Sequence, residues 1–384
     1  MLAKSGNNVY FITNNNSTPS YDGINKIIYG LKRKVPDDCH SYLKFYEDVI
    51  IHGQGAADVM VGMKMKGFKP DIIIGHSWGS SMFVKEIFPD VPYIAYIEWY
   101  YNYKNSDFDF LDKDVNIDDK ARLICKNSHI LLDLVRCDAA LTPTRWQMRQ
   151  IPEIFRKKVN VIHEGINVNI CKPDDDAEFK VPDTNIVLTK KDKVLTYATR
   201  GMEEYRGFPE FMQVASILMK KIPDLHVVVS GEDRVCYGRR ILNSTFKTEM
   251  LKMYDYDMNR IHFTGPLPYI DYIKLLQISR AHIYLTYPFV LSWSMLEAMA
   301  IGCVIIASDT EPVKEFLNNS NGILTGFNDI SSIVEKTQDV LLNRNKYNMI
   351  SENARKTIIE KINLDKMLKK QVNLINLFLN KNKK

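Results

Sequence analysis

Short β-branched runs, turns rich in Gly, Ser and His, and amphipathic stretches alternate along this chain. Val9–Thr13, 71–75, 93–97, Ala139–Thr142 and 159–163 have the length and composition of strands. Between several of them, 24–34 and 121–135 place apolar residues at helical spacing. Such alternation predicts βαβ units around a buried parallel sheet. The polar segment 171–193, with Pro173, Asp174, Asp175, Asp176 and Pro182, reads as a linker. The rhythm then restarts, with strands expected at 194–199, 226–230, 261–263, 281–285 and 304–308. Helices are expected at 209–220, 270–279 and 293–300.

The fold class is therefore α/β, with two tandem doubly wound domains and a ligand expected at strand carboxyl ends and in the cleft between the domains. The boundaries read as an N-terminal domain over 1–170, a linker over 171–193, a second domain over 194–362, and a C-terminal helix with a basic tail over 363–384. In that last helix Leu364, Leu368, Val372, Ile375 and Leu379 recur at helical spacing. Packing against the body is the preferred reading over membrane insertion.

Composition narrows the classes. At 384 residues with 45% hydrophobic and 25% charged content, the chain is long and apolar enough to exclude wholesale disorder. No apolar run reaches the ~18–20 residues a membrane span needs. The longest, 282–293, is broken by Pro288 and Ser292. The polar start, 1–8, lacks the apolar core of a signal peptide. Cys39, Cys125, Cys137, Cys171, Cys236 and Cys303 form no CxxC pair, which argues against a zinc site or a disulfide framework and for a reduced cytoplasm. A net charge of +5 tolerates anionic ligands or membranes without pointing to nucleic acid.

The most informative stretch is Tyr287-Pro-Phe-Val-Leu-Ser-Trp-Ser-Met-Leu-Glu-Ala-Met-Ala-Ile-Gly302. A strand ends before it, and Ser292, Trp293, Ser294 and Met295 open a helix whose free N–H groups suit an anion. Ser292 and Ser294 read equally as helix caps. Upstream, Arg200 and Arg206 flank a loop leaving a strand's carboxyl end, where guanidinium forks are suited to one diphosphate.

Taken together these residues resemble the donor-binding half of family 4 glycosyltransferases with the GT-B fold. The resemblance places Arg200 and Arg206 at that family's phosphate clamp and Glu297 at the ribose-binding second Glu of its E-x7-E motif. Ser230-Gly231 and Gly265-Pro-Leu267-Pro268 resemble turns lining the nucleobase pocket. In the first domain Gly75-His-Ser-Trp-Gly79, Phe88-Pro-Asp-Val-Pro92, Glu98-Trp-Tyr-Tyr101, Pro143-Thr-Arg-Trp-Gln147 and His163-Glu-Gly-Ile166 resemble a bacterial subgroup of the group 1 glycosyltransferases. The resemblance runs over roughly 1–328.

Three departures stand out. Phe289 occupies the position of the first Glu of E-x7-E, and Arg206 replaces the usual Lys. The start, 1–13, resembles the end of the first helix and the second strand, which implies a chain without the family's first strand and its glycine loop.

First-domain candidates are His76 and Glu98, each at a strand end. Glu98 stands where many relatives carry a catalytic His, and a carboxylate there suits polarising an acceptor hydroxyl or stabilising oxocarbenium charge. Trp99, Tyr100, Tyr101 and Tyr103 suit either sugar stacking or packing. Of the pairs Asp107/Asp109, Asp174/Asp176 and Asp255/Asp257, the last two fall in the linker and a polar loop and read as solvated surface, and no metal or cofactor is expected. Arg145, Arg149, Arg156, Lys157 and Lys158, with Lys381, Lys383 and Lys384, read as a solvated face or a peripheral dock on anionic lipid.

The expected activity is a cytoplasmic, metal-independent, retaining transfer of sugar from a nucleotide-diphosphate sugar to a glycan or lipid-linked acceptor, in surface polysaccharide or lipopolysaccharide synthesis. The alternatives are a non-catalytic nucleotide-sugar-binding module and a nucleotide-sugar epimerase. A dinucleotide oxidoreductase is disfavoured because no G-x-G-x-x-G follows a predicted strand.

Overall fold

The computed structural model describes residues 2–111 and 114–381. Met1, Lys383, Lys384 and the Lys381 side chain lie outside the described residues. The chain divides into two compact units, Met1–Glu164 with Lys366–Lys384, and Gly165–Asp365.

The first unit runs β1 (Val9–Thr13), β2 (Ile24–Ile28), α1 (Lys44–Met65), β3 (Ile73–His76), α2 (Val84–Ile87), β4 (Tyr93–Tyr96), α3 (Ile117–Arg136), β5 (Ala139–Thr142), α4 (Arg145–Gln150) and β6 (Val159–Val161). Strands β3-β4-β5-β6 form a parallel sheet in sequence order, and β1 and β2 pair in parallel as a separate ribbon. Tyr93, Ala95, Ile130, Leu134 and Ala140 sit at the centre of its core.

One expectation fails here, and one helix was not expected. The helix predicted over 24–34 is the strand β2, because its helical spacing spans only the six residues between Gly23 and Gly30 and is filled by β-branched isoleucines. The long helix α1 has no counterpart among the expected helices, because Gly53, Gly55 and Gly62 lower its propensity. Two of those glycines are there for packing. A Cβ on Gly55 would lie 2.5 Å from the Gly30 carbonyl oxygen, and one on Gly53 3.0 Å from the Phe83 ring.

The second unit begins with the hairpin β7 (Glu178–Lys180) and β8 (Val187–Thr189), inside the segment expected to be a linker. Ala177, Phe179, Val181 and Leu188 from that segment join a core cluster with Val194, Val228, Leu275 and Ile278. The apolar residues scattered among its Asp and Lys residues explain the difference. Then follow β9 (Lys193–Gly201), α5 (Phe208–Lys221), β10 (Leu225–Glu232), α6 (Phe246–Met253), β11 (Ile261–Gly265), α7 (Tyr269–Gln277), β12 (Ala281–Tyr284), α8 (Trp293–Ile301), β13 (Ile305–Ser308), α9 (Glu311–Lys314), β14 (Ile323–Thr325), α10 (Ile330–Leu342) and α11 (Asn348–Lys361).

These strands form one parallel sheet in the order β11-β10-β9-β12-β13-β14. The winding reverses between β9 and β12, which places the crevice for a ligand at their carboxyl ends. The last helix, α12 (Leu364–Lys381), buries Met367, Leu374 and Ile375, half-buries Leu364, Leu368, Val372 and Leu379, and leaves Leu377 exposed. No helix among the described residues is long and apolar enough to cross a membrane.

Candidate functional site

The β9–β12 switch point is built around Arg206. The loop after β9 makes one tight turn (Glu204–Arg206) and enters α5 through Gly207, at φ +61°. A side chain at Gly207 would put its Cβ 2.4 Å from that of Leu285, so only glycine brings this loop against the end of β12. Glu203, fully buried, accepts from the backbone N–H of Cys236 (3.0 Å), Tyr237 (2.9 Å) and Gly238 (2.7 Å), tying the loop after β10 to the same place.

Arg206 is buried, and its guanidinium is fully directed. One terminal nitrogen donates to Thr286 Oγ1 (2.7 Å) and the Tyr284 hydroxyl (3.2 Å), the other to the Val290 carbonyl (3.0 Å). The Tyr237 ring lies 5.3 Å from its central carbon. Every acceptor is neutral, and among the described residues no carboxylate is in ion-pair distance. A cation desolvated without a counter-charge leaves positive potential for an incoming anion.

Ser292 caps α8. Its hydroxyl accepts from the Ser294 N–H (3.3 Å) and is 2.8 Å from the Ser294 hydroxyl, while its own N–H donates to the Tyr284 hydroxyl (2.9 Å). Tyr284 thus bridges the helix start to Arg206. A small recess opens there, lined by Thr199, Arg206, Leu285, Ser292 and Ser294 among others. The capping role and the anion cradle coexist, because first-turn amides have no intrahelical partner.

The other expected donor-side residues fall around this recess unevenly. Arg200 is exposed near the end of β9, close enough for its charge to act on the Cys236 thiol, and does not line the recess. Trp293 is half exposed, whereas Met295 is fully buried in the core and does not line the recess. Gly231, at φ +138°, is explained by the sheet itself, since a Cβ would sit 2.1 Å from the Thr199 carbonyl oxygen. Leu267 packs on the cluster around Phe179. Glu297 is buried and accepts from the hydroxyls of Tyr269 (2.8 Å) and Tyr272 (3.0 Å), and burial pushes its carboxyl pKa up.

Phe289 lies in an aromatic cluster that residue-by-residue reading missed. Tyr205 stacks on Tyr287 (4.7 Å), and Phe289 meets Tyr205 (5.7 Å) and Tyr237 (5.1 Å). These rings come from three different loops, so only the aromatic residues within 287–293 hint at them in the sequence.

In the first unit, His76 and Tyr96 are register partners on β3 and β4, with rings 4.5 Å apart. Although the His76 side chain keeps an exposed edge, desolvation lowers its pKa and Glu98 opposes that shift. The Glu98 carboxylate accepts from the Trp78 indole (3.1 Å), and its backbone carbonyl accepts from Gln147 (2.6 Å) at the Thr144-capped start of α4. His76, Trp78 and Glu98 therefore share the carboxyl ends of two neighbouring strands. Trp99 is fully buried, as packing requires.

The Asp pairs are committed locally. Asp109 accepts from Asn105 and Ser106, Asp174 from Asp176, and Asp255 and Asp257 pair with Lys220 and Arg260. In the basic stretch, Arg156 bonds the Ile151 and Arg149 carbonyls and Lys158 that of Cys137.

Comparison with known proteins agrees with this architecture. Residues 5–171 match the model of the glycosyl transferase family 4 group, and residues 183–357 that of the glycosyl transferases group 1. No curated protein matches in sequence. Among solved structures, sucrose-phosphate synthase from Thermosynechococcus elongatus is similar with a TM-score of 0.73 at 14% identity, over 98% of this chain and 90% of that one. Anabaena HepE in complex with UDP-glucose gives 0.63 at 14%, over 84% and 83%. A glycosyltransferase from Rickettsia africae gives 0.60 at 18%, over 93% and 85%. These likenesses show the GT-B fold. With a family model on each half and Arg206 beside the α8 start at the switch point, the chain belongs to the family 4, group 1 glycosyltransferases.

Proposed function

We propose that this glycosyltransferase takes a sugar from a nucleoside-diphosphate donor held on the second unit to a hydroxyl of a glycan or lipid-linked acceptor held on the first. The observation that carries the reading is Arg206, a buried guanidinium with neutral partners only, lining one recess with the N-terminus of α8. Cleaving a glycosyl–phosphate bond loads negative charge onto the leaving diphosphate, and a fixed cation with helix amides stabilises that charge without reorganising. On this reading the diphosphate charge is met by protein groups, without a metal ion. UDP-glucose bound to the similar HepE structure supports the donor class.

Glu98, oriented by Trp78 and Gln147, polarises the acceptor hydroxyl or stabilises oxocarbenium charge, with His76 beside it. The family resemblance supports retention of anomeric configuration, and the acceptor class supports a role in surface polysaccharide synthesis at the inner face of a membrane. The test is release of nucleoside diphosphate from a panel of donors in the presence of chelator, with Arg206→Lys and Arg206→Ala compared. One observation favours a second reading, a donor-binding module without transfer. Phe289 puts a ring where the wider family has a carboxylate. Tight donor binding without turnover on any donor and acceptor would select that reading.

A further inference from the structure

Helix α3 carries a cation that the chemistry above leaves unused. Lys126 Nζ lies 3.7 Å from the centroid of the Tyr101 ring and 5.1 Å from that of Phe45. Among the described residues it makes no ion pair and no hydrogen bond. Burial pushes its pKa down to about 8, with the Asp107 carboxylate acting in the opposite sense. The rings return part of the lost hydration through their negative faces. They accept none of the three N–H donors directionally, so the ammonium keeps its full hydrogen-bonding capacity.

The placement is built rather than incidental. Asn127, the next residue, accepts from the Tyr101 N–H (2.9 Å) and donates to the Tyr101 carbonyl (2.7 Å), which locks that ring under Lys126. The cluster continues to the candidate acceptor side. The Phe45 ring is 6.5 Å from Trp78 and 5.6 Å from His129, Trp78 donates to Glu98, and the Glu98 charge acts on the Tyr101 hydroxyl. His129 is held against the Ser77 carbonyl (2.9 Å), and burial lowers its pKa to about 4, so it is neutral and does not compete for an anion.

We propose that Lys126 reads an anionic group on the acceptor, a carboxylate or a phosphate, while the reacting hydroxyl is presented to Glu98. This rests on the reading that the first unit holds the acceptor. A second cationic cluster, Arg280 and Arg344, is spent on the backbone carbonyls of Leu341 and Ser279 and carries less.

The test uses the full chain saturated with UDP, so that the Arg206 recess is occupied, and measures binding of glucose, glucuronate and glucose 6-phosphate. Wild type is expected to bind at least one anionic sugar about tenfold or more tighter than glucose. Lys126→Met should reduce that preference to about twofold or less, and Lys126→Arg should restore part of it, with circular dichroism unchanged. The stronger of the two anions identifies carboxylate or phosphate as the group read. Equal binding of neutral and anionic sugars, no binding of either anionic sugar, or an undiminished preference in Lys126→Met overturns the proposal. Donor hydrolysis by the same proteins reads the transferase assignment separately. Hydrolysis with no anion preference sinks only the role of Lys126, whereas donor turnover absent from wild type counts against the transferase reading itself.

Discussion

Arg206 donates to the Thr286 hydroxyl at 2.7 Å, and this bond joins the loop after β9 to the loop after β12 where the strand order reverses. Function and stability meet in that one side chain. Arg206→Ala removes a charge and strands the Val290 carbonyl and the Thr286 hydroxyl, at a cost of about 2–4 kcal/mol. Arg206→Lys keeps the charge but loses the fork, so it should fold nearly normally and lose donor turnover by about tenfold or more. Thermal unfolding beside nucleoside diphosphate release separates the two effects.

The two roles of Ser292 separate by charge. Ser292→Ala should cost about 1 kcal/mol of stability and less than about tenfold in turnover, because the helix amides remain. Ser292→Asp retains a good cap next to the positive helix end, yet places a carboxylate at the recess. Its melting temperature should match wild type while UDP binding, read by calorimetry, collapses.

Glu98→Gln should leave UDP binding and unfolding unchanged, since an amide oxygen still accepts from Trp78. Transfer should fall by about 10²–10⁴-fold if Glu98 acts on the reacting groups. Unchanged transfer would reduce Glu98 to an anchor for Trp78.

Two buried groups give pH dependences of opposite sign. His282 sits inside β12, its Nδ1 2.8 Å from Thr196 Oγ1, and burial lowers its pKa to about 4. Its contribution is present at neutral pH and lost as pH falls from the unfolded value near 6.5 toward 4, on the order of 1–3 kcal/mol. Glu210, at the start of α5, has its pKa raised to about 7 by burial, with the nearby Glu204 charge adding to the effect. That carboxyl favours the fold at low pH and loses its contribution as pH climbs from about 4.5 through 7. Glu210→Gln should therefore raise the melting temperature at pH 8 and leave it unchanged at pH 5, whereas His282→Gln should flatten the acid limb.

What the chain disclosed before folding was mostly local. Strands β3, β4, β5, β9, β10, β12 and β13 lie close to where periodicity puts them, and the cap at Ser292 follows from residue type and position. What stayed hidden depends on the approach of distant segments. Glycines in α1 look like helix breakers until the Gly30 backbone and Phe83 are seen against them. Glu203 looks like a surface carboxylate until the 236–238 amides close on it. Arg200 and Arg206 also differ in burial, one exposed and one buried, a distinction that spacing cannot carry.

The central claim is tested most directly by nucleoside diphosphate release. Purified full-length protein is incubated with UDP-, GDP- and dTDP-linked sugars under chelator, alongside Arg206→Lys. At least one donor should be turned over by wild type, and the variant, equally folded, should turn it over about tenfold or more slowly. Equal turnover by the folded variant, or turnover that vanishes with chelator and returns with a divalent cation, would contradict the account.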